Sequence, residues 1–132
     1  MRPLLLLVLL LLSWGNAEAA RLEGHWLTVN GHALHYLARG GHGRPLVLLH
    51  GGGATPRDSF AKQMRAFAAG HRVIAPEQVG HGRTPALPGP LSYTRMMEDT
   101  AALLGALRLG PVDVVGFSDG GILALMLAAH HP

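Results

Sequence analysis

Hydrophobic and polar positions alternate in one manner near the start of this chain and in another further on. Residues 25–29 (HWLTV) and 32–38 (HALHYLA) are short stretches of mixed polarity separated by Asn30-Gly31. That dipeptide is a strong signal for a two-residue hairpin, so the pair predicts two antiparallel strands. Leu46 to Leu49 is an unbroken aliphatic run after Pro45, the pattern of a strand buried on both faces. Arg72-Val73-Ile74-Ala75 and Val112 to Val115 repeat it and predict two more buried strands. Between and after these runs the spacing becomes helical. Thr55-Pro56-Arg57-Asp58 has a capping-box pattern with proline at the first helical position. Phe60, Met64 and Phe67 follow at i, i+4 and i+7, which predicts one amphipathic helix over 56–69, ended by Gly70. Ser92 caps a second helix with Met97, Ala101 and Leu104 as its buried stripe and Gly110-Pro111 as its stop. Residues 119–131 are apolar almost all round, which predicts a fully buried helix.

After the hairpin, strand and helix alternate three times. A parallel sheet with helices on its faces satisfies that order, so the class is α/β. Gly40 to Gly43 reads as a flexible turn, and Pro76 to Pro90 as a loop rich in proline and glycine.

The first twenty residues follow another logic. Met1-Arg2-Pro3 is a short positive start, Leu4 to Leu12 is aliphatic throughout, and Ala17-Glu18-Ala19 is an A-x-A site. This predicts a secretory signal peptide over residues 1–19, a mature domain over 20–132 and export to the periplasm or medium. A membrane-spanning helix needs about 20 apolar residues, more than this run offers; an uncleaved anchor is the alternative.

Composition narrows the classes further. The 132 residues allow one domain at most, and 48% hydrophobic with 14% charged residues is a globular balance. The net charge is +3, but the arginines that carry it are scattered singly, so no nucleic-acid surface is expected. The absence of cysteine removes disulfides, thiol catalysis and lipid attachment through cysteine. None of the nine histidines falls in a metal-ligand pattern, and no metal or other cofactor is implied.

The chemistry concentrates in two glycine-bearing segments, each following a predicted buried strand. Gly116-Phe117-Ser118-Asp119-Gly120 fits G-x-S-x-G between a strand and a helix. A sharp turn there strains the central residue and crowds its neighbours at minus two and plus two unless both are glycine. It would lift the Ser118 hydroxyl above the sheet, with Gly121 giving the helix room to lie close. Amides at the helix start would face negative charge forming beside the serine. His50-Gly51-Gly52-Gly53 lies at the same edge of the sheet. Its glycines allow a backbone N–H to approach a substrate oxygen, so Gly52 and Asp119 are the expected oxyanion-hole donors. Without a following Gly-Lys-Ser/Thr it is not a phosphate loop.

With these segments in view, residues 24–132 resemble the α/β-hydrolase fold family. The resemblance rests on the HGGG loop, on Glu77-Gln78-Val79-Gly80-His81-Gly82-Arg83-Thr84 and on the GFSDGG elbow. The middle loop departs from the pattern, since the family more often has Asp where Glu77 stands and Ser where Thr84 stands. Because that loop shapes the site mouth in the family, the departure bears on specificity more than on chemistry. Relatives that open epoxides or remove halide carry Asp as nucleophile. Ser118 therefore points to attack on the acyl carbon of an ester, thioester or amide, with a small-molecule acyl substrate.

The resemblance also implies a triad in the order Ser, acid, His, with the later two on segments after the nucleophile helix. His50 and His81 are structural in the family, and no other histidine is placed as a base. The expectation is the N-terminal part of a serine hydrolase, inactive alone and with an open sheet edge. A non-catalytic binding protein on the same fold is the alternative. Asp119 has two readings: a carboxylate in a first helical turn, worth roughly 0.3–1 kcal/mol, or a contact for a cationic substrate group. The elbow is similar to that of the valacyclovir-hydrolase-like branch, which implies amino-acid esters. Asp119 and Gly53 are the candidate substrate contacts.

Overall fold

Asn30 and Gly31 adopt φ of 47° and 85°, the two positive values that a tight hairpin turn of this twist requires. They join β1 (Glu23–Val29) to β2 (His32–Arg39) in an antiparallel ladder in which Val29 faces His32 across the turn. The computed structural model describes residues 21–132, so the expected leader lies outside the described residues. Then follow β3 (Pro45–Leu49), α1 (Pro56–Phe60), α2 (Met64–Gly70) and β4 (Arg72–Pro76). After a long loop come α3 (Tyr93–Leu107), β5 (Asp113–Gly116) and α4 (Asp119–His130).

The sheet order is β1-β2-β4-β3-β5. β2 runs antiparallel to both its neighbours, whereas β3 is parallel to β4 and to β5. β1 therefore points the same way as β3, β4 and β5, and the sheet is mixed with one reversed strand. The β1–β2 pairing comes from the hairpin, whose short turn leaves no length for a crossover.

Alternation along the strands divides the core between the two faces of the sheet. Leu46, Leu48, Val73 and Ala75 pack with Phe60 and Ala68 under α1 and α2. Val47 and Leu49 point the other way, against Met96 and Met97 of α3 and Leu123 and Leu127 of α4. Ile74 joins Val29, Leu34 and Leu103 further along that face. Helices thus cover both faces, and β3 and β4 are the strands most enclosed.

Four local expectations need correction. The predicted helix over 56–69 is two segments, because the Gln63 amide donates to the Phe60 carbonyl three residues back and tightens the chain there. The second helix stops before Gly110: Arg108 takes a left-handed φ of 51° and its amide closes on the Gly105 carbonyl. β5 is not buried on both faces as its valines predict: Val115 is exposed, and among the described residues the strand forms the open sheet edge expected on that side. Finally, α4 is not enclosed on every side. Leu123 and Leu127 are buried, but Leu125 is 75% exposed and Ile122 43%. Its apolar circumference would suit a core, yet among the described residues only α3 and the sheet cover it.

Candidate active site

The turn from β5 into α4 places Ser118 at φ 53° and ψ −119°, a conformation costly for any residue with a Cβ. Two glycines make the turn possible. A Cβ at Gly116 would collide with the Gly120 carbonyl, and one at Gly120 with the Leu49 carbonyl of β3. Gly121 differs from its expected role, since a Cβ there would meet the Gly116 oxygen at 3.6 Å, ordinary contact. The Phe117 amide donates to the Leu49 carbonyl, which ties the turn to the end of the neighbouring strand β3. Ser118 itself is exposed, and its side chain does not cap the helix it begins.

The segment after β3 lies directly against this turn, with Gly51 beside Phe117 and the Ser118 Cβ. Its amides are mostly committed. Gly51 N–H donates to Ser59 Oγ at 3.1 Å, and Gly53 N–H to His81 Nε2 at 3.0 Å. The Ala54 amide returns to the Gly51 carbonyl. Among the described residues neither the Gly52 N–H nor the Asp119 N–H, at the first position of α4, meets an acceptor. The two amides named from the sequence as donors are thus uncommitted. Gly53, at φ 67°, has its N–H turned to His81.

Asp119 is held in a way the sequence did not disclose. Tyr93 Oη donates to its Oδ1 at 2.8 Å, and its Oδ2 occupies the space a Cβ at position 52 would take. That hydrogen bond holds the Tyr93 phenol above its ordinary value, because ionising it would remove the proton shared with the carboxylate. Tyr93 opens α3 and lies 26 residues before Asp119, so no local pattern links them.

His50 and His81 are occupied by backbone. His50 Nε2 accepts from the Gln78 amide at 3.0 Å and its Nδ1–H donates to the Gly51 carbonyl. Burial pushes its pKa below the ordinary value, so it stays neutral as both bonds require. His81 Nε2 accepts from Gly53 N–H while Nδ1–H donates to the Val79 carbonyl. His32 and His35 of β2 each meet a buried carboxylate. His32 Nε2 lies 2.8 Å from Asp99 of α3, and His35 Nδ1 lies 2.8 Å from Glu77. Glu77 also accepts from the Arg83 amide, and Thr84 Oγ1 bridges the Glu77 carbonyl and the His35 amide. Glu77 and Thr84 are therefore buried at the base of their loop, not at a mouth. Among the described residues no histidine is bonded to Ser118, and no group of three metal-ligating side chains occurs.

Away from Ser118, a cleft of about 950 Å³ opens between α3, β5 and α4. Leu104, Leu109, Val112, Val114 and Leu127 line it, and none of the predicted site residues does.

Ser118 thus stands strained between two obligatory glycines, facing the glycine loop that follows β3. The family model for the alpha/beta hydrolase fold matches residues 44–132. The chain belongs to that family. Among its relatives is a 2-hydroxymuconate semialdehyde hydrolase of Pseudomonas putida, 41% identical over 96 residues that make up 70% of this chain and 34% of the relative. The human protein named serine hydrolase BPHL is 34% identical over 110 residues, 80% of this chain and 38% of that one. The crystal structure of a hydrolase from Pseudomonas aeruginosa PA01 superposes with a TM-score of 0.76 at 32% identity, covering 83% of this chain and 42% of the other. This hydrolase-fold chain thus spans between a third and two-fifths of the length of these curated relatives.

Proposed function

We propose that Ser118 is the nucleophile of a serine hydrolase that cleaves an ester, thioester or amide. The carrying observation is its positive φ at the strand-to-helix turn, flanked by two uncommitted amides. Ser118 Oγ attacks the acyl carbon, and its proton passes to a base. The carbonyl oxygen becomes an oxyanion facing the Gly52 and Asp119 amides. Collapse expels the alcohol, thiol or amine with a proton from the base, and water then cleaves the acyl-enzyme. Each oxyanion donor contributes about 3 kcal/mol to the transition state.

The triad acid and base lie on segments beyond residue 132 in this reading. Its support is that every ring nitrogen of His50 and His81 is already used and that Ser118 has no histidine partner among the described residues. A serine without a base is a weak nucleophile, so residues 20–132 alone would be essentially inactive. The cleft beside β5 would also favour association of that piece. Asp119 adds a preference for substrates with a cationic group beside the scissile carbonyl, as in amino-acid esters. The protein is exported after cleavage near Ala19, which N-terminal sequencing of the exported product would test; an intact Met1 on an intracellular product would refute it.

The catalytic test is a fluorophosphonate probe applied to the full-length protein. A single adduct on Ser118 is expected. A full-length protein that binds acyl compounds without forming the adduct would be a binding protein instead.

A further inference from the structure

We infer that Tyr93 is a positioning residue that sets the carboxylate of Asp119 for a cationic substrate group and keeps it from turning onto the amides of its own helix end. The inference rests on the cation preference proposed above. An aspartate at the first position of a helix is free to turn its carboxylate toward the unpaired amides of that helix end. Turned so, it would place a negative charge where the oxyanion has to form. Here both oxygens are kept elsewhere. Oδ1 accepts from Tyr93 Oη at 2.8 Å, and Oδ2 lies over Gly52, in the room its missing Cβ leaves.

The anchor is placed by α3, of which Tyr93 is the first residue. That helix start is fixed by Ser92, whose Oγ accepts from the Arg95 amide, and by Met96 and Met97 in the core. The phenol spends its one proton on Oδ1. Oδ2 meets no hydrogen-bond donor among the described residues, which leaves it to an incoming ammonium. Gly52, Asp119 and Tyr93 then form one unit: a glycine that makes room, a carboxylate that binds, and a hydroxyl that orients.

The experiment compares two substrates that differ only by the ammonium, the p-nitrophenyl esters of L-alanine and of propionic acid, on the full-length protein. Tyr93→Phe is expected to lower the kcat/KM ratio of cationic to neutral ester about three- to tenfold, through KM of the cationic ester. Asp119→Asn should lower the ratio further. In parallel, tyrosine ionisation is followed by absorbance at 295 nm. Asp119→Asn should bring one tyrosine down to the ordinary range, and Tyr93→Phe should remove that high-pH transition. An unchanged ratio in Tyr93→Phe beside a lowered ratio in Asp119→Asn would overturn the positioning role alone. An unchanged ratio in Asp119→Asn would overturn the cation preference and this inference with it. Absence of turnover of either ester would refute the catalytic reading on which both rest. A tyrosine transition that ignores Asp119→Asn would refute the hydrogen bond.

Discussion

The two glycine segments that meet at Ser118 use glycine for different reasons. In the elbow, Gly116 and Gly120 are needed because backbone runs where their Cβ atoms would be, and one of those carbonyls belongs to the enclosed strand β3. In the loop after β3, no neighbouring backbone excludes a Cβ at Gly52; the Asp119 carboxylate fills that space. Backbone cannot move without moving the sheet, whereas a side chain can swing away. The elbow glycines are therefore a condition of folding, and Gly52 is a condition of one side-chain arrangement.

The largest expected effect breaks the elbow. Gly120→Ala should cost about 3 kcal/mol or more in urea unfolding, or prevent folding, with Gly116→Ala close behind. Gly121→Ala is the control. Its Cβ meets ordinary contact, and alanine suits a helix better, so stability should hold or rise by up to about 1 kcal/mol. Equal losses at all three positions would refute the steric account.

The next prediction separates side chain from backbone. Gly52→Ala should slow fluorophosphonate labelling about tenfold by pushing the Asp119 carboxylate toward the oxyanion donors. Most of that loss should disappear in an Asp119→Ala background, where the amide remains and the carboxylate is gone. Strict additivity would show that Gly52 needs no side chain for reasons unrelated to Asp119.

This contrast also marks how far the sequence could be read. The elbow was legible because strand, G-x-S-x-G and helix are contiguous, so the need for Gly116 and Gly120 follows from local geometry. The hairpin and the capping box at Thr55 and Asp58 were legible for the same reason, with Asp58 Oδ2 accepting from the Thr55 amide at 2.8 Å. Pairings between distant residues carried no local signature. Tyr93 with Asp119, His32 with Asp99 and His35 with Glu77 join segments 26, 67 and 42 residues apart. The exposed side of α4 was misread for another reason. An apolar run records what a helix is suited to pack against, and among the described residues too little lies there to cover Ile122 and Leu125.

A smaller effect concerns strain. Ser118→Gly should raise stability by about 1 kcal/mol by relieving the positive φ, while abolishing labelling. A destabilised glycine variant would mean that the elbow is not strained. The smallest effect is a pH dependence. His50 has a folded pKa below its unfolded value near 6.5, because burial disfavours the imidazolium. Its neutral form therefore stabilises the fold fully above pH 6.5, and that contribution declines as pH falls and the unfolded chain takes up the proton first. Unfolding at pH 7.5 and pH 5 should show this decline, and His50→Asn should weaken it.

The central claim is that Ser118 is the acylated residue. The direct measurement is peptide mapping of the full-length protein after fluorophosphonate treatment, beside its Ser118→Ala variant. The account predicts one adduct, on Ser118, absent from the variant while the variant remains folded. Labelling that persists unchanged in Ser118→Ala, or that maps to another residue, would contradict it.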